Sequence, residues 1–515
     1  MCTICDLDPQ QQRLSRLLEV TAGHPFFNHP VTGEPVFFLY DPPHLLKSLR
    51  NALVNHDIEF SDGMVAFWSY IKALWSLDSS KSLRLVPRLS SKHVFLGLGK
   101  KMSVKLAAQV FSHSVYAGIM TYREHGLLPK DSDQTATFVK RMNDIWDLFN
   151  CSRLDATGLK QATTPGNLVS RLSFLDDASS FINSLRFRHR VTEQGAKDHL
   201  PSKRGLLITI AAYKSLLQRL LRSGSSCKLN FLIGRRLNQD CVENCFSQIR
   251  RDKGSFFEMM PVWRAISNLR SVAASSYLAP LRKNNSNCEG DSDFHLIDLF
   301  QPNVPKPTGE TFEVDSSSTR EPCTSSDIRA TSQRSASQVA IQDIWKDNLV
   351  DLRKDALEND ACEYVAGYII RRLFQKFPEV LDCSICVLHL TDFPVDKTFL
   401  SFKCFTSNHM GLQTPSEELT GVIKFWDRHF KSLFQSLCSE SSLKKRISDS
   451  LLRKCFPGFV PNCHKSLIVE FCVNMFVKIR IFREIKILNE KIKCNRTASL
   501  RKLSKLCHVK RAFKK

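Results

Sequence analysis

The chain has 515 residues, 43% of them apolar and 35 of them phenylalanine, enough to bury the cores of roughly two to four domains. A formal charge of +22 calls for a polyanionic partner, and because each neutralised phosphate releases a counterion, DNA or RNA is favoured over an acidic protein surface. No apolar run reaches the length of a membrane span and no signal-peptide pattern opens the chain, so a membrane role is set aside and the protein reads as soluble and intracellular.

In chain order, "CTICDLDPQQQRLSRLL" is a short apolar stub that ends in Asp6 and runs into a helical pattern. A strand-terminal Asp before a helix is how RNase H-like sites hold a carboxylate. The run "VFFLY" at Val36 to Tyr40 and the following "DPPHLLKSLRNAL" predict a buried strand, a proline-fixed turn and a helix start. Asp41 and His44 sit at that turn, where a strand-end acid suits a cleft, but Asp before Pro is also an ordinary turn initiator. From 55 to 235 apolar residues recur at three and four, as in "FWSYIKALWSL" and "KLAAQVFSHSVYAGI", which predicts an all-helical domain. Residues 236–282 return to an amphipathic helix carrying "RRLNQDCVENCFSQIRRDKG". Asp240 and Glu243, three apart, share a face of it. They fit a capping box or one corner of a metal site that cuts nucleic acid, and spacing alone favours the cap.

Residues 283–345, rich in Ser, Thr, Pro, Asn and acids, cannot bury enough apolar surface to offset their ordering entropy and are expected to form a disordered linker. A compact Cys-containing module follows over 346–477, and the basic tail 478–515 sets fourteen Lys/Arg against two Glu. Its "KIRIFREIKILNEKIK" interleaves apolar and basic residues at helical spacing, so the expected helix docks on the body and presents charge to DNA phosphates. The 18 cysteines are scattered, which points to reduced thiols in a nuclear or cytosolic compartment. Cys383-x-x-Cys386, and Cys463 with His464 and the upstream Cys455, are read as buried or free thiols ahead of zinc ligands, because no second regular CxxC pair accompanies the first. Cys2-x-x-Cys5 suits a metal still less.

Taken together, several long phrases in one order resemble the P-element type of transposase, the class that includes the THAP-domain transposases. They are "CDLDPQQQ", the stretch from "LLEVTAGHPFFNHPV" through "DPPHLLKSLRNAL", "RLVPRLSSKHV", "KKMSVKLAAQVFSHSV", "LNQDCVENCFSQIRRDKG" and "EYVAGYIIRRL". The resemblance implies an α/β plus α architecture. A partial RNase H-like core (1–54 and 236–282) is interrupted by an all-helical GTP-binding insertion domain (55–235) and followed by a helical Cys-containing C-terminal module.

It also implies DNA cleavage and strand transfer by two divalent metals, Mg²⁺ or Mn²⁺, held between three carboxylates. Asp6 matches the second acid and Glu243 the third, with Asp240 as the accompanying acid and metal ligand on the same helix. Asp41 and His44 match the motif beside them and take a supporting role. No phosphate-cradling GxxxxGK[ST] loop occurs, so GTP would be read by acids that accept the guanine N–H protons, at Asp78 and Asp144. Without the resemblance both read as helix caps or exposed acids. DNA and self-association are the implied partners and the nucleus the implied location. The family's first acid falls upstream of residue 1, and the wording drifts after Asp6 and after Glu243. The expectation is a truncated or domesticated transposase, catalytically incomplete as given, with a non-catalytic nucleic-acid-binding or regulatory descendant as the alternative.

Overall fold

A computed structural model describes residues 1–61, 63–189, 200–221, 229–249, 266, 267, 270, 356–393, 396, 398–403, 412–437, 442–453 and 460–512. The expected linker at 283–345 lies outside the described residues, as does Cys455. The opening segment forms β1 (Cys2–Cys5), α1 (Pro9–Leu17), β2 (Phe26–Asn28), β3 (Pro35–Tyr40) and α2 (Pro42–Asn55). β3 is central, with β1 parallel on one side, Cys5 beside Tyr40, and β2 antiparallel on the other, Phe26 beside Phe37. Asp41 caps α2 by accepting the His44 N–H at 3.2 Å, and the prolines occupy its first turn, where a missing N–H costs nothing.

A second three-stranded antiparallel sheet has the order β5-β4-β6, built from β4 (His56–Phe60), β5 (Met64–Ala66) and β6 (Arg186–His189). The helices α3 (Trp68–Ser79), α4 (Ser91–Val94), α5 (Leu98–Lys101), α6 (Val104–Val110), α7 (His113–Glu124), α8 (Ser132–Phe149) and α9 (Leu168–Ser184) lie between β5 and β6. The helical unit therefore hangs on this sheet, leaving from the β4–β5 hairpin and returning by β6, which pairs with β4. α8 closes the free side of β5, because Gln134 Oε1 accepts the Val65 N–H at 2.7 Å and Thr135 Oγ1 the Phe67 N–H at 3.0 Å. An open sheet edge is thereby covered.

Two expectations change here. The region 55–235 is mostly helical but contains this small sheet, so it is not all-helical. Its last helix, α10 (Pro201–Leu221), lies against β3 of the first sheet. The Tyr40 N–H donates to Thr209 Oγ1 at 2.9 Å, and the Thr209 hydroxyl donates back to the Tyr40 carbonyl at 3.2 Å. Phe37 and Leu39 cluster with Ala212 and Leu216 of α10, while Phe38 and Tyr40 join Leu45 and Leu49 in the main core. Both faces of β3 are covered, which is why its apolar run is unbroken. A Cβ on Gly205 would stand 2.7 Å from Leu45 Cδ2, so only glycine lets α10 come this close to α2. The return to the first sheet thus begins near β6, well before 235.

Then come α11 (Asp240–Ile249), α12 (Ala356–Lys376), α13 (Pro378–Leu381), α14 (Ser384–Leu390), α15 (Phe399–Lys403), α16 (Glu417–Leu437), α17 (Leu443–Arg453) and α18 (Lys465–Ala512). Trp426, Phe430 and Phe476 are buried where α16 meets α18. This module touches the helical unit through named side chains. His125 Nε2 lies 2.6 Å from Asp360 Oδ2, the His113 ring bonds the Phe402 carbonyl at 2.6 Å, and Ser82 Oγ donates to Asp427 Oδ2 at 2.6 Å. Among the described residues no helix is long and apolar enough to cross a membrane.

Candidate active site and nucleotide pocket

The parallel register that sets Cys5 beside Tyr40 puts Asp6 and Asp41 at the carboxyl ends of neighbouring strands, and the Asp41 N–H donates to the Cys5 carbonyl at 2.7 Å. Strand carboxyl ends are where open α/β sheets place their ligands. Asp6 turns one oxygen to the Asp8 N–H at 3.2 Å, and Asp8, not Asp6, caps α1. α11 is brought to this end in two steps. Leu232 bridges to Thr163, and the Gly234 N–H donates to Cys151 Sγ at 3.0 Å, fixing the approach on the helical unit. Gln239 then donates its backbone N–H to Asp41 Oδ1 at 2.8 Å and its side-chain amide to the Ile4 carbonyl at 3.4 Å.

The consequence is a four-member chain of contacts. Glu243 Oε1 lies 3.0 Å from His44 Nε2, and His44 Nδ1 lies 3.7 Å from Asp41 Oδ2. Glu243 reaches across to α2 instead of turning back on its own helix start, where Asn238 Oδ1 takes the Asp240 N–H at 3.1 Å. Asp240 is the first residue of α11, with Arg235 Nε 3.9 Å from its carboxylate. The His44 hydrogen bond holds the Glu243 carboxyl below its ordinary range, against partial burial. Burial pushes Asp41 up to about 6, opposed by the Gln239 and His44 contacts. Burial lowers the Lys47 ammonium while Glu243, Asp41 and Asp6 all favour its charge, so this lysine stands among the three acids. Lys47 and Gln239 were not singled out in the sequence. Lys47 closes the phrase "DPPHLLK", which helps carry the family resemblance, but only Asp41 and His44 of that phrase were given a role.

The two acids expected to read guanine separate. Asp78 is fully buried, and both its oxygens are taken by internal donors. Arg84 Nε is at 2.7 Å, the Leu85 N–H at 2.9 Å, the Val86 N–H at 3.3 Å and the Tyr122 hydroxyl at 3.4 Å. A guanine-reading carboxylate must be open, so the structure places Asp78 in the framework and not in a pocket. Asp144 is half-buried on α8 beside Asp147, and Asn143 Nδ2 lies 3.4 Å from the first and 2.9 Å from the second. Lys160 Nζ is 3.7 Å from Asp147, and Lys140 lies over the Tyr116 ring at 5.3 Å. Burial raises Asp144 and pushes Asp147 up to about 6, with the nearby lysines opposing. Asp147 was missed although "NDIWD" puts it one turn beyond Asn143.

Two further expectations are corrected. Cys383-x-x-Cys386 and the pair Cys463 and His464, read as buried or free thiols ahead of zinc ligands, come together with ligand atoms within 4.8 Å of one another. Cys2 and Cys5 instead lie along β1. In the basic tail, Arg480 is buried against Asp427 (2.5 Å) and Glu484 (3.1 Å). Arg483 donates to the Ser79 carbonyl at 2.7 Å and Lys486 to the Pro87 carbonyl at 3.3 Å. The helix docks as expected, but these cations face protein, not phosphate.

Residues 43–162 match the family model of a TNP-like, GTP-binding insertion domain, and residues 311–387 a model described as 87kDa Transposase. The chain is 24% identical over 511 residues to the Transposable element P transposase of Drosophila melanogaster, covering 98% of this chain and 60% of that protein. It is 29% identical over 142 residues to DNA transposase THAP9 of Homo sapiens, covering 27% of this chain and 15% of that protein. A solved Drosophila P element transposase strand transfer complex matches with a TM-score of 0.45 and 24% identity over 52% of this chain and 59% of that one. The chain thus spans less than two thirds of the length of either relative.

Proposed function

We propose, from the premise that this chain is a homologue of the P-element transposases, that it is a DNA-binding and GTP-binding protein of transposase type whose sheet-end acids face a phosphodiester. The observation that carries this reading is the convergence of Asp6, Asp41, His44, Lys47 and Glu243 where two parallel strands end. The net charge of +22 supports a DNA partner. An RNase H-like core, self-association and a nuclear location belong to the same proposal and rest on the family likeness.

Asp6 and Glu243 are hard oxygen donors of the kind Mg²⁺ or Mn²⁺ takes, with Asp240 close by on α11. Such ions, when bound, would activate the attacking oxygen and stabilise the leaving one. Among the described residues, however, no three acids close into a group tight enough to hold an ion, and Glu243 is engaged with His44. The acids present supply part of a cage, so we propose that this chain by itself binds DNA without cutting it. That same observation favours the second reading, a non-catalytic nucleic-acid-binding or regulatory protein of transposase descent. For GTP, the half-buried Asp144, with Asp147, Lys160 and the Tyr116 ring close by, offers guanine-accepting carboxylates that Asp78 does not.

Two measurements on the purified chain test this. Incubated with duplexes carrying candidate transposon ends and Mg²⁺ or Mn²⁺, it is expected to retain DNA without nicking it. Metal-dependent nicking that disappears in Glu243→Gln would overturn the incompleteness. Equilibrium binding of labelled GTP is expected to weaken at least about tenfold in Asp144→Ala, a loss of about 1.4 kcal/mol; undetectable or unchanged affinity removes the pocket.

A further inference from the structure

The four side chains Cys383, Cys386, Cys463 and His464 lie far from the acids and from the nucleotide pocket in sequence, and neither reading uses them. Cys383 is the residue before α14, and Cys386 lies in its first turn, so i and i+3 place both sulfurs at one helix start. Cys463 and His464 occupy a single 3₁₀ turn, Asn462–His464, that leads directly into α18. The fold brings these two pairs together across 77 residues, with Cys386 Sγ 3.4 Å from Cys463 Sγ. Cys383 Sγ is 3.8 Å from Cys463 Sγ, and His464 Nδ1 is 3.3 Å from Cys386 Sγ.

Those separations decide between chemistries. A disulfide needs sulfurs about 2.05 Å apart, and the cysteines here are free. Four ligands around one tetrahedral ion, with metal–sulfur bonds of about 2.3 Å and a metal–nitrogen bond of about 2.05 Å, stand about 3.8 Å apart between sulfurs and about 3.5 Å from sulfur to nitrogen. Three of the six edges, 3.4 and 3.8 Å between sulfurs and 3.3 Å to nitrogen, are close to those of such a tetrahedron, and all four ligand atoms lie within 4.8 Å of one another. Three soft thiolates and an imidazole reject Mg²⁺ and Ca²⁺ and select zinc.

We infer that Cys383, Cys386, Cys463 and His464 bind one zinc ion in a closed structural site, with His464 as an Nδ1 ligand, that fastens the start of α18 to α14. All four positions are filled by protein, so no place is left for substrate or a reactive water. The ion fixes where α18 begins. About 24 Å further along that helix, at 1.5 Å per residue, Arg480 meets Asp427 and the helical unit. The site therefore sets the register in which α18 crosses the molecule.

The test uses the full chain. Metal analysis of the purified protein is expected to give one zinc per chain. Cobalt replacement is expected to give the visible absorption of a tetrahedral thiolate site. Cys463→Ser, at an exposed position, is expected to lose the zinc and the cobalt spectrum. His464→Cys is expected to keep one zinc as a four-thiolate site, which separates ligation from a folding defect, and Cys241→Ser on α11 is expected to keep it as a control. A wild-type chain that retains no zinc and gives no cobalt spectrum overturns the inference. So does zinc that survives in Cys463→Ser, or its loss in both Cys463→Ser and Cys241→Ser.

Discussion

Asp41 is the residue on which the sheet end turns. One oxygen caps α2 and the other receives the Gln239 N–H, so a single carboxylate joins the strand end, the following helix and the approach to α11. It is 2% exposed, and burial raises it to about 6. A carboxyl raised above its unfolded range near 3.9 stabilises the fold fully below that range and loses the contribution as pH rises through the folded value. The window is therefore about pH 4 to 6. Over it the wild type is expected to lose roughly 3 kcal/mol relative to Asp41→Asn, whose single amide oxygen keeps one of the two N–H bonds and which does not titrate. Urea unfolding midpoints of the two proteins across this range check the sign. A difference that is flat with pH would mean that Asp41 is ionised throughout.

At the scale of elements, α18 shows that a basic helix face is not by itself a DNA face. Arg480, Arg483 and Lys486 give their charge to Asp427, Glu484 and backbone carbonyls of the helical unit. DNA contact by this tail must come from its other basic residues. Deleting 491–515 is expected to make the log–log salt slope of DNA binding shallower by roughly 0.9 for each phosphate contact removed. Arg483→Gln is expected to leave that slope alone. Binding measured at several salt concentrations on unrelated duplexes decides between them.

What was legible at this scale was local. The unbroken run of β3, the Asp-Pro-Pro cap of α2 and the helical periods of α3 and α7 depend on near neighbours, and the chain writes them directly. The strand Arg186–His189 reads as part of a helical region because its pairing partner is His56–Glu59, remote in the chain. The zinc ligands were seen as two pairs, but nothing in "CSIC" or "NCH" says that they meet. The same holds for the strand ends. Asp6, Asp41 and Glu243 were singled out from wording, whereas Gln239 comes beside Asp41 through folding alone. Asp78 was misplaced because sequence cannot show that Arg84 and Tyr122 close over it.

For the whole molecule, the C-terminal module is joined to the helical unit by buried polar contacts, with Arg480 at their centre. It pairs with Asp427, lies 4.8 Å over the Phe430 ring and donates to the Ser82 carbonyl at 3.3 Å. Removing one member of such a buried pair strands the other charge. Arg480→Ala is expected to cost about 3–5 kcal/mol in unfolding free energy, and Arg480→Met with Asp427→Leu to recover most of it. A loss below about 1 kcal/mol in the single variant would show that water reaches Asp427.

The strand pair β4–β6 also orders events in time. Tyr40 and Thr209, whose bonds complete the cover of the first sheet, are 169 residues apart, and Asp57 must find Arg188 across the whole helical unit. Contacts within α7 and α8 close much shorter loops, and short loops form sooner. As the chain leaves the ribosome, the helices between the two strands can fold while β3 still has one face bare. Their folding then brings β6 back to β4 and α10 onto β3. The helical unit is thus the scaffold on which the cover of β3 is finished, and Glu243, held near Asp41 and His44 through α11, joins the strand ends across a far longer loop than the one that sets Asp6 beside Asp41.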